Sequence, residues 1–296
     1  MPITGTLADA VRVRAPLRSL GELPRYDEVT VTERTAPGPP GAPDVRVRVY
    51  RPRVLPSPAP AALLLHGGAF VLGNLDAVHD AAARSAAHAS AVIVAVGYRL
   101  APEHPYPAGL EDTYAALTWL AANAAGLGVD PSRIGVSGAS SGAALATGVT
   151  MLSRDRGGPA VCFQHLTTPA LDDRLGTASM LEYTGTPIWS RPLAEESWRM
   201  YLGPGLSDVS HYAAPARARL EHLTGLPAAY ISTAGLDPVR DEGILYALRL
   251  TEAGVPVELH NYPGLYHAFG APHRPEDQRR IAAEHLESLR RGLHGS

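Results

Sequence analysis

Residues 134–146 read IGVSGASSGAALA, an apolar run that leads into a serine held between two glycines. Two chemistries use such a stretch. Glycines after a strand let backbone amides approach the pyrophosphate of a dinucleotide. The same letters, Gly138-Ala139-Ser140-Ser141-Gly142, spell the G-x-S-x-G turn that presents a serine as a nucleophile. The first chemistry lacks its parts. Ala143 and Ala144 stand where a third glycine belongs, no acid ends the next apolar run PAVCFQHL to hold a ribose, and the chain has no lysine for a Tyr-x-x-x-Lys pair.

The second chemistry has its parts, at a distance. A serine on a tight strand-to-helix turn needs small neighbours, which Gly138 and Gly142 supply. Its tetrahedral intermediate needs backbone N–H donors from the residue after the nucleophile and from a second loop. LLLHGGAF, residues 63–70, ends an apolar run in His66-Gly67-Gly68-Ala69, where glycines let amides come close to a substrate oxygen. An acid and then a histidine complete a serine triad in the chain order that goes with this turn. Asp237 directly follows the strand-like AAYISTAGL, and His267 lies in the glycine-flanked loop PGLYHAFG. Asp241 competes with Asp237 but falls one turn into the following helix, where a carboxylate serves the helix dipole. His66 is expected to orient the glycine loop through hydrogen bonds. His104, His165 and His260 are expected to be structural or solvated, and Ser137 and Ser141 stand out of register for the nucleophile.

To bring these groups together, the elements around them must gather their ends at one edge of a sheet. Strand-like runs fall at roughly 25–32, 44–51, 61–66, 91–97, 133–137, 160–166, 227–234 and 256–262. From the third onward they alternate with Ala-rich helical stretches such as 76–89, 109–124 and 238–253, which predicts a mostly parallel sheet with helices on both faces. The first two are separated by TAPGPPGAP and fit an antiparallel pair at one edge. The last, VPVELHNY, alternates Val257, Leu259 and Asn261 against Glu258, His260 and Tyr262. It is expected at the other edge, open to pairing with a second copy as a homodimer, although its polar residues suit a device against such pairing equally well. Between the sixth and seventh runs the alternation stops, from ALDDRLGTASM to ARLEHLTGL, in an insert that carries Trp189, Trp198, Met200 and Tyr201.

Composition removes other classes. A formal charge of −3 over 296 residues gives no hint of nucleic acid or an anionic membrane as partner. All 26 basic residues are arginine, so mechanisms that require lysine are excluded: a Walker A loop, a pyridoxal Schiff base and the S-x-x-K hydrolases. Cys162 is the single cysteine and forms no intrachain disulfide; within AVCFQHL it reads as a core thiol on a buried strand. No H-E-x-x-H or paired-cysteine spacing occurs, so no metal is expected. No apolar run reaches signal-peptide or membrane-span length, which leads us to expect a soluble, cytoplasmic protein.

From about residue 60 onward, the segments HGGAF, GYRLAPEHPYPAGLEDTYAALTWL, GVDPSRIGVSGASSG, DPVRDEG and YHAF together resemble the bacterial hormone-sensitive lipase family of α/β-hydrolase carboxylesterases. The resemblance implies an α/β-hydrolase fold with an eight-stranded, mostly parallel sheet flanked by helices, under a helical cap. It assigns residues 1–24 and 171–224 to the cap, and 25–170 and 225–296 to the two parts of the core. It further implies Ser140 as nucleophile, Asp237 as acid, His267 as base, an oxyanion hole from the amides of Gly67, Gly68 and Ser141, and no cofactor. The family elbow reads Gly-Asp-Ser-Ala-Gly-Gly, so Ala139, Ser141 and Ala143 depart from it. Ala69 replaces a usual glycine and Gly97 a usual aspartate. Because the oxyanion donors are backbone groups, a small side chain at Ser141 leaves them intact.

The expected activity is hydrolysis of short- to medium-chain acyl esters through an acyl-enzyme, in a pocket walled by Phe70, Trp189, Trp198 and Tyr201. Acyl transfer through the same triad is an alternative. A non-catalytic receptor on this fold, like the plant gibberellin receptors that lost the histidine, is another, and the presence of His267 favours the enzyme.

Overall fold

The computed structural model describes residues 6–205, 207–269 and 275–295. The most continuous apolar runs form the middle of the sheet. β3 (Ala59–Leu65) and β4 (Val92–Gly97) pair in parallel and are buried apart from Leu64 and Gly97, as strands covered on both faces must be. β5 (Val129–Ala139) lies parallel on the other side of β3, with Leu65 opposite Gly138. That register makes the glycine loop and the serine turn leave the sheet side by side. β6 (Gln164–Thr167), β7 (Ala229–Ala234) and β8 (Val257–Tyr262) continue in parallel. β1 (Val29–Ala36) and β2 (Val45–Pro52) form the antiparallel pair anticipated at the other edge, and the eight strands run in the order β1-β2-β4-β3-β5-β6-β7-β8.

Side chains alternate across this sheet and divide the core in two. Ile93 and Ala95 face α2 (His79–Ala89) and α10 (Pro275–His294). Val92, Val94 and Val96 share a core with α3 (Ala108–Ala122) and α5 (Ser141–Asp155). A short α4 (Ala124–Leu127) leads into β5. α5 begins at the serine turn and is almost wholly buried, which its small residues permit. The hydroxyls of Thr147 and Thr150 donate to Ala143 O and Ala146 O at 2.9 and 2.7 Å, so both are paired within the helix.

Between β6 and β7 the insert supplies α6 (Ala178–Glu182), α7 (Arg191–Leu202) and α8 (Leu220–Leu223); α9 (Arg240–Glu252) then follows β7. The N-terminal α1 (Leu7–Arg12) is tied to the insert: the Glu196 carboxylate on α7 accepts the first amides of α1, Leu7 N at 2.7 Å and Ala8 N at 3.1 Å. Among the described residues no helix is long and apolar enough to cross a membrane.

Two expectations need correction. Cys162 is not in a strand: β6 begins at Gln164, and Cys162 lies half-buried just ahead of it, although its amide already donates to Ile134 O of β5 at 2.8 Å. Burial still pushes its thiol up to about 11. The first strand starts at Val29 rather than near 25, after a turn closed by Val29 N donating to Tyr26 O at 3.1 Å.

Candidate active site

The serine turn is defined by backbone contact. A Cβ on Gly142 would lie 2.3 Å from Leu65 O and 2.5 Å from His66 O, and one on Gly138 would lie 2.3 Å from Gly142 O. Strand, turn and helix therefore approach more closely than any side chain allows, which is the physical content of the two motif glycines. Ser140 itself sits at φ 55, ψ −121, a conformation that costs on the order of 1–3 kcal/mol and persists only where the surroundings enforce it. The surroundings do so: Ser140 N donates to Thr167 O at 2.9 Å, and Ser140 O accepts from Ala143 N and Ala170 N at 3.0 and 3.3 Å.

The glycine loop lies against this turn, since a Cβ on Gly67 would meet Ala139 O at 3.0 Å and Ser140 Cβ at 3.4 Å. Ala69, where the resembling family has glycine, stands at φ 57, and Phe70 follows at φ 61. Both strained residues are pinned, Ala69 O by Ser197 Oγ of α7 at 2.9 Å and Phe70 O by Ala101 N at 3.1 Å. Arg14 adds a further tie, donating from Nε to Val71 O at 2.6 Å and from Nη2 to Ala101 O at 2.5 Å. Among the described residues, no backbone acceptor takes the amide hydrogens of Gly67, Gly68 or Ser141. His66 supports the loop from below. It is 1% exposed, its Nδ1 lies 2.9 Å from Gly67 O, and its ring stacks on Tyr98 at 4.2 Å while Tyr98 OH donates to His66 O at 2.6 Å. Burial pushes the His66 imidazole down to about 4. Gly97 ends β4 beside β2: a Cβ there would meet Arg46 O at 3.1 Å and Leu75 Cγ at 3.5 Å.

Asp237 and His267 reach Ser140 from the loops after β7 and β8. Asp237 Oδ2 lies 2.7 Å from His267 Nδ1, its Oδ1 accepts from Val239 N at 3.1 Å, and His267 Nε2 lies 2.8 Å from Ser140 Oγ. With the ring proton on Nδ1, shared with Asp237, Nε2 is left to accept from the serine hydroxyl. The three residues are 7%, 0% and 5% exposed in the order Ser140, Asp237, His267. Asp241 is engaged elsewhere: its Oδ2 accepts from Ser179 N of α6 at 2.8 Å and its Oδ1 from Arg240 Nε at 2.7 Å.

The four expected pocket residues belong to one buried cluster: Phe70 stacks on Tyr201 at 3.8 Å and tilts against Trp198 at 5.1 Å, and Trp189 stacks on His267 at 5.6 Å. Trp189 Nε1 and Tyr201 OH are buried without a partner among the described residues. The residues that sequence patterns missed are the fasteners Arg14, Glu196 and Ser197. Each is a polar side chain in an unremarkable helical or coil context, and only its distant partner gives it a role.

The chain belongs to the alpha/beta hydrolase fold family, whose model matches residues 62–271, and within it is of the hormone-sensitive lipase type. It is similar to the carboxylesterase NlhH of Mycobacterium tuberculosis, with 45% identity over 273 residues, covering 90% of this chain and 85% of that protein. Esterase LipI of the same organism is 40% identical over 274 residues, covering 91% of this chain and 84% of that protein. A solved structure named Bacterial Heroin Esterase superposes with a TM-score of 0.86 at 46% identity, covering 90% of this chain and 85% of that one.

Proposed function

We propose that this protein hydrolyses short- to medium-chain acyl esters through Ser140, His267 and Asp237. That it is a carboxylic ester hydrolase rests on relatives of that activity at 40–45% identity along nine-tenths of the chain. The observation that carries the mechanism is the pair of hydrogen bonds at 2.8 and 2.7 Å that joins Ser140 Oγ to His267 and His267 to Asp237. Nε2 takes the hydroxyl proton as Oγ attacks the ester carbonyl, and Asp237 stabilises the imidazolium that forms. The amides of Gly67, Gly68 and Ser141 receive the carbonyl oxygen as it becomes an oxyanion. His267 then gives its proton to the departing alcohol, and water, activated in the same way, releases the acid.

The restriction to short and medium chains is supported by the buried aromatic cluster of Phe70, Trp198 and Tyr201 against the glycine loop. An organophosphonate should label Ser140 alone, as mapped by peptide mass. kcat/KM across p-nitrophenyl esters should rise and then drop beyond about eight to ten carbons, since each methylene contributes about 0.8 kcal/mol only while it still fits. Labelling at Ser141, or a preference for palmitate, overturns the corresponding part. Product analysis with added alcohol separates hydrolysis from acyl transfer. We also propose a homodimer through β8, which ends the sheet and exposes Leu259 at 38%. A monomer mass by light scattering at micromolar concentration removes that part.

A further inference from the structure

Glu242 is a carboxyl group of the DPVRDEG stretch that the Ser140 chemistry leaves unused. It lies on α9 beyond Asp237 and is 2% exposed. Its Oε2 accepts two consecutive backbone amides, Leu171 N at 2.6 Å and Asp172 N at 2.9 Å, while Oε1 is buried without a partner among the described residues. Those amides belong to the segment that leaves β6 for the insert. Just before them, Ala170 N donates to Ser140 O at 3.3 Å, and Thr168, at φ 41, donates its amide to Ser232 O of β7 at 2.7 Å. Leu171 O in turn accepts from Ala216 N of the insert at 3.0 Å. The helix rests directly on this segment, because a Cβ on Gly243 would come within 2.6 Å of Thr233 Cγ2 and 3.2 Å of Pro169 Cγ.

We infer that Glu242 is a positioning residue: its carboxyl clips segment 168–172 to the helix that follows Asp237, and so sets the spacing between the serine turn and the acid–histidine pair. The inference rests on the roles proposed above for Ser140, Asp237 and His267. Burial raises the Glu242 pKa to about 8 against the opposing pull of the two amides, and Asp172 and Asp237 add to the rise. The clip therefore requires reach and an acceptor oxygen, with no need for charge. A glutamine of equal length provides both, whereas an aspartate is one methylene short.

The test compares E242A, E242D and E242Q beside D237N, all measured well below their melting temperatures. Active sites are counted by stoichiometric phosphonate labelling, so that kcat is expressed per competent site. E242A and E242D should lose roughly ten- to a hundred-fold in kcat per site with KM within about three-fold of the parent, the size expected for sub-ångström to ångström misplacement of reacting groups. E242Q should recover most of that loss. The inference is overturned if the variants lose only titratable sites or thermal stability at parental kcat per site, or if E242Q is no better than E242D. Should E242A fail to accumulate as folded protein, the E242D and E242Q pair decides alone. Parental kcat in D237N would instead overturn the triad itself.

Discussion

The serine turn and the aromatic wall beside it are both buried and both strained, yet they are held by different means. Ser140 is fixed by main-chain contacts from three sides, β3, β6 and the segment after it, at distances that exclude a Cβ at Gly138 and Gly142. The wall adds side chains to main-chain ties at Phe70 O and Tyr201 O: ring stacking of Phe70 on Tyr201, the Ser197 hydroxyl on Ala69 O, and the Glu196 carboxylate on α1. Trp189 follows Ile188, a β-branched residue at φ 71, and is steadied by Thr186 Oγ1 donating to Trp189 O at 2.6 Å. A site enforced by main chain tolerates almost no change, whereas a wall built of side chains can be remodelled one residue at a time. Reaction class should therefore be hard to alter here, and substrate range easier.

Substitutions at the two regions sharpen that contrast. Ser140→Ala should lower kcat by about 10⁴- to 10⁶-fold while leaving the fold intact by circular dichroism, the residual rate coming from binding and the oxyanion amides. A loss below ten-fold would break the comparison at its strongest point. Asp237→Asn should cost about 10⁴-fold in kcat, because an amide favours the wrong tautomer of His267. Asp241→Asn should leave kcat within a few-fold and act on stability instead, through the lost contacts to Ser179 and Arg240. Equal kcat losses in the two variants would show that the acid has been misassigned.

A smaller effect concerns acid. His66 and His165 are buried as neutral rings, with burial pushing them down to about 4 and about 3. The unfolded chain takes up these protons near pH 6.5 while the folded protein does not. Their contribution is therefore fully present above about pH 6.5 and is lost as pH falls from there toward 4. His66 alone accounts for about 3 kcal/mol by this linkage, at about 1.4 kcal/mol per pH unit. Urea denaturation between pH 7 and 4.5 should show the decline, and a flat profile would contradict the buried, neutral state of these rings. The smallest effect belongs to the wall. Trp198→Ala should move the chain-length optimum to longer p-nitrophenyl esters with acetate turnover within about three-fold of the parent. An unchanged optimum would place the limiting wall elsewhere, with Trp189 the next candidate.

Features that local backbone geometry dictates can be read directly from the residues. GASSG needs its glycines because Gly142 meets the end of β3, the glycines of HGG carry amides that no backbone acceptor takes among the described residues, and the apolar runs of β3 and β4 are long because helices cover both faces. The order of serine, acid and histidine was legible because each stands at the end of a recognisable strand. Features that depend on partners far apart in the chain emerge only on folding. β6 begins only at Gln164, so Cys162 precedes it although its amide already bonds Ile134 O of β5. Trp189 covers His267 while Trp198 joins Phe70 and Tyr201, although both indoles come from one insert. Glu242 and Glu196 each hold two consecutive amides, separated from them by about 70 and 190 positions. A carboxylate on a helix carries no local mark of the amides it will meet, because that meeting is fixed by how the sheet stacks its helices and not by the residues on either side.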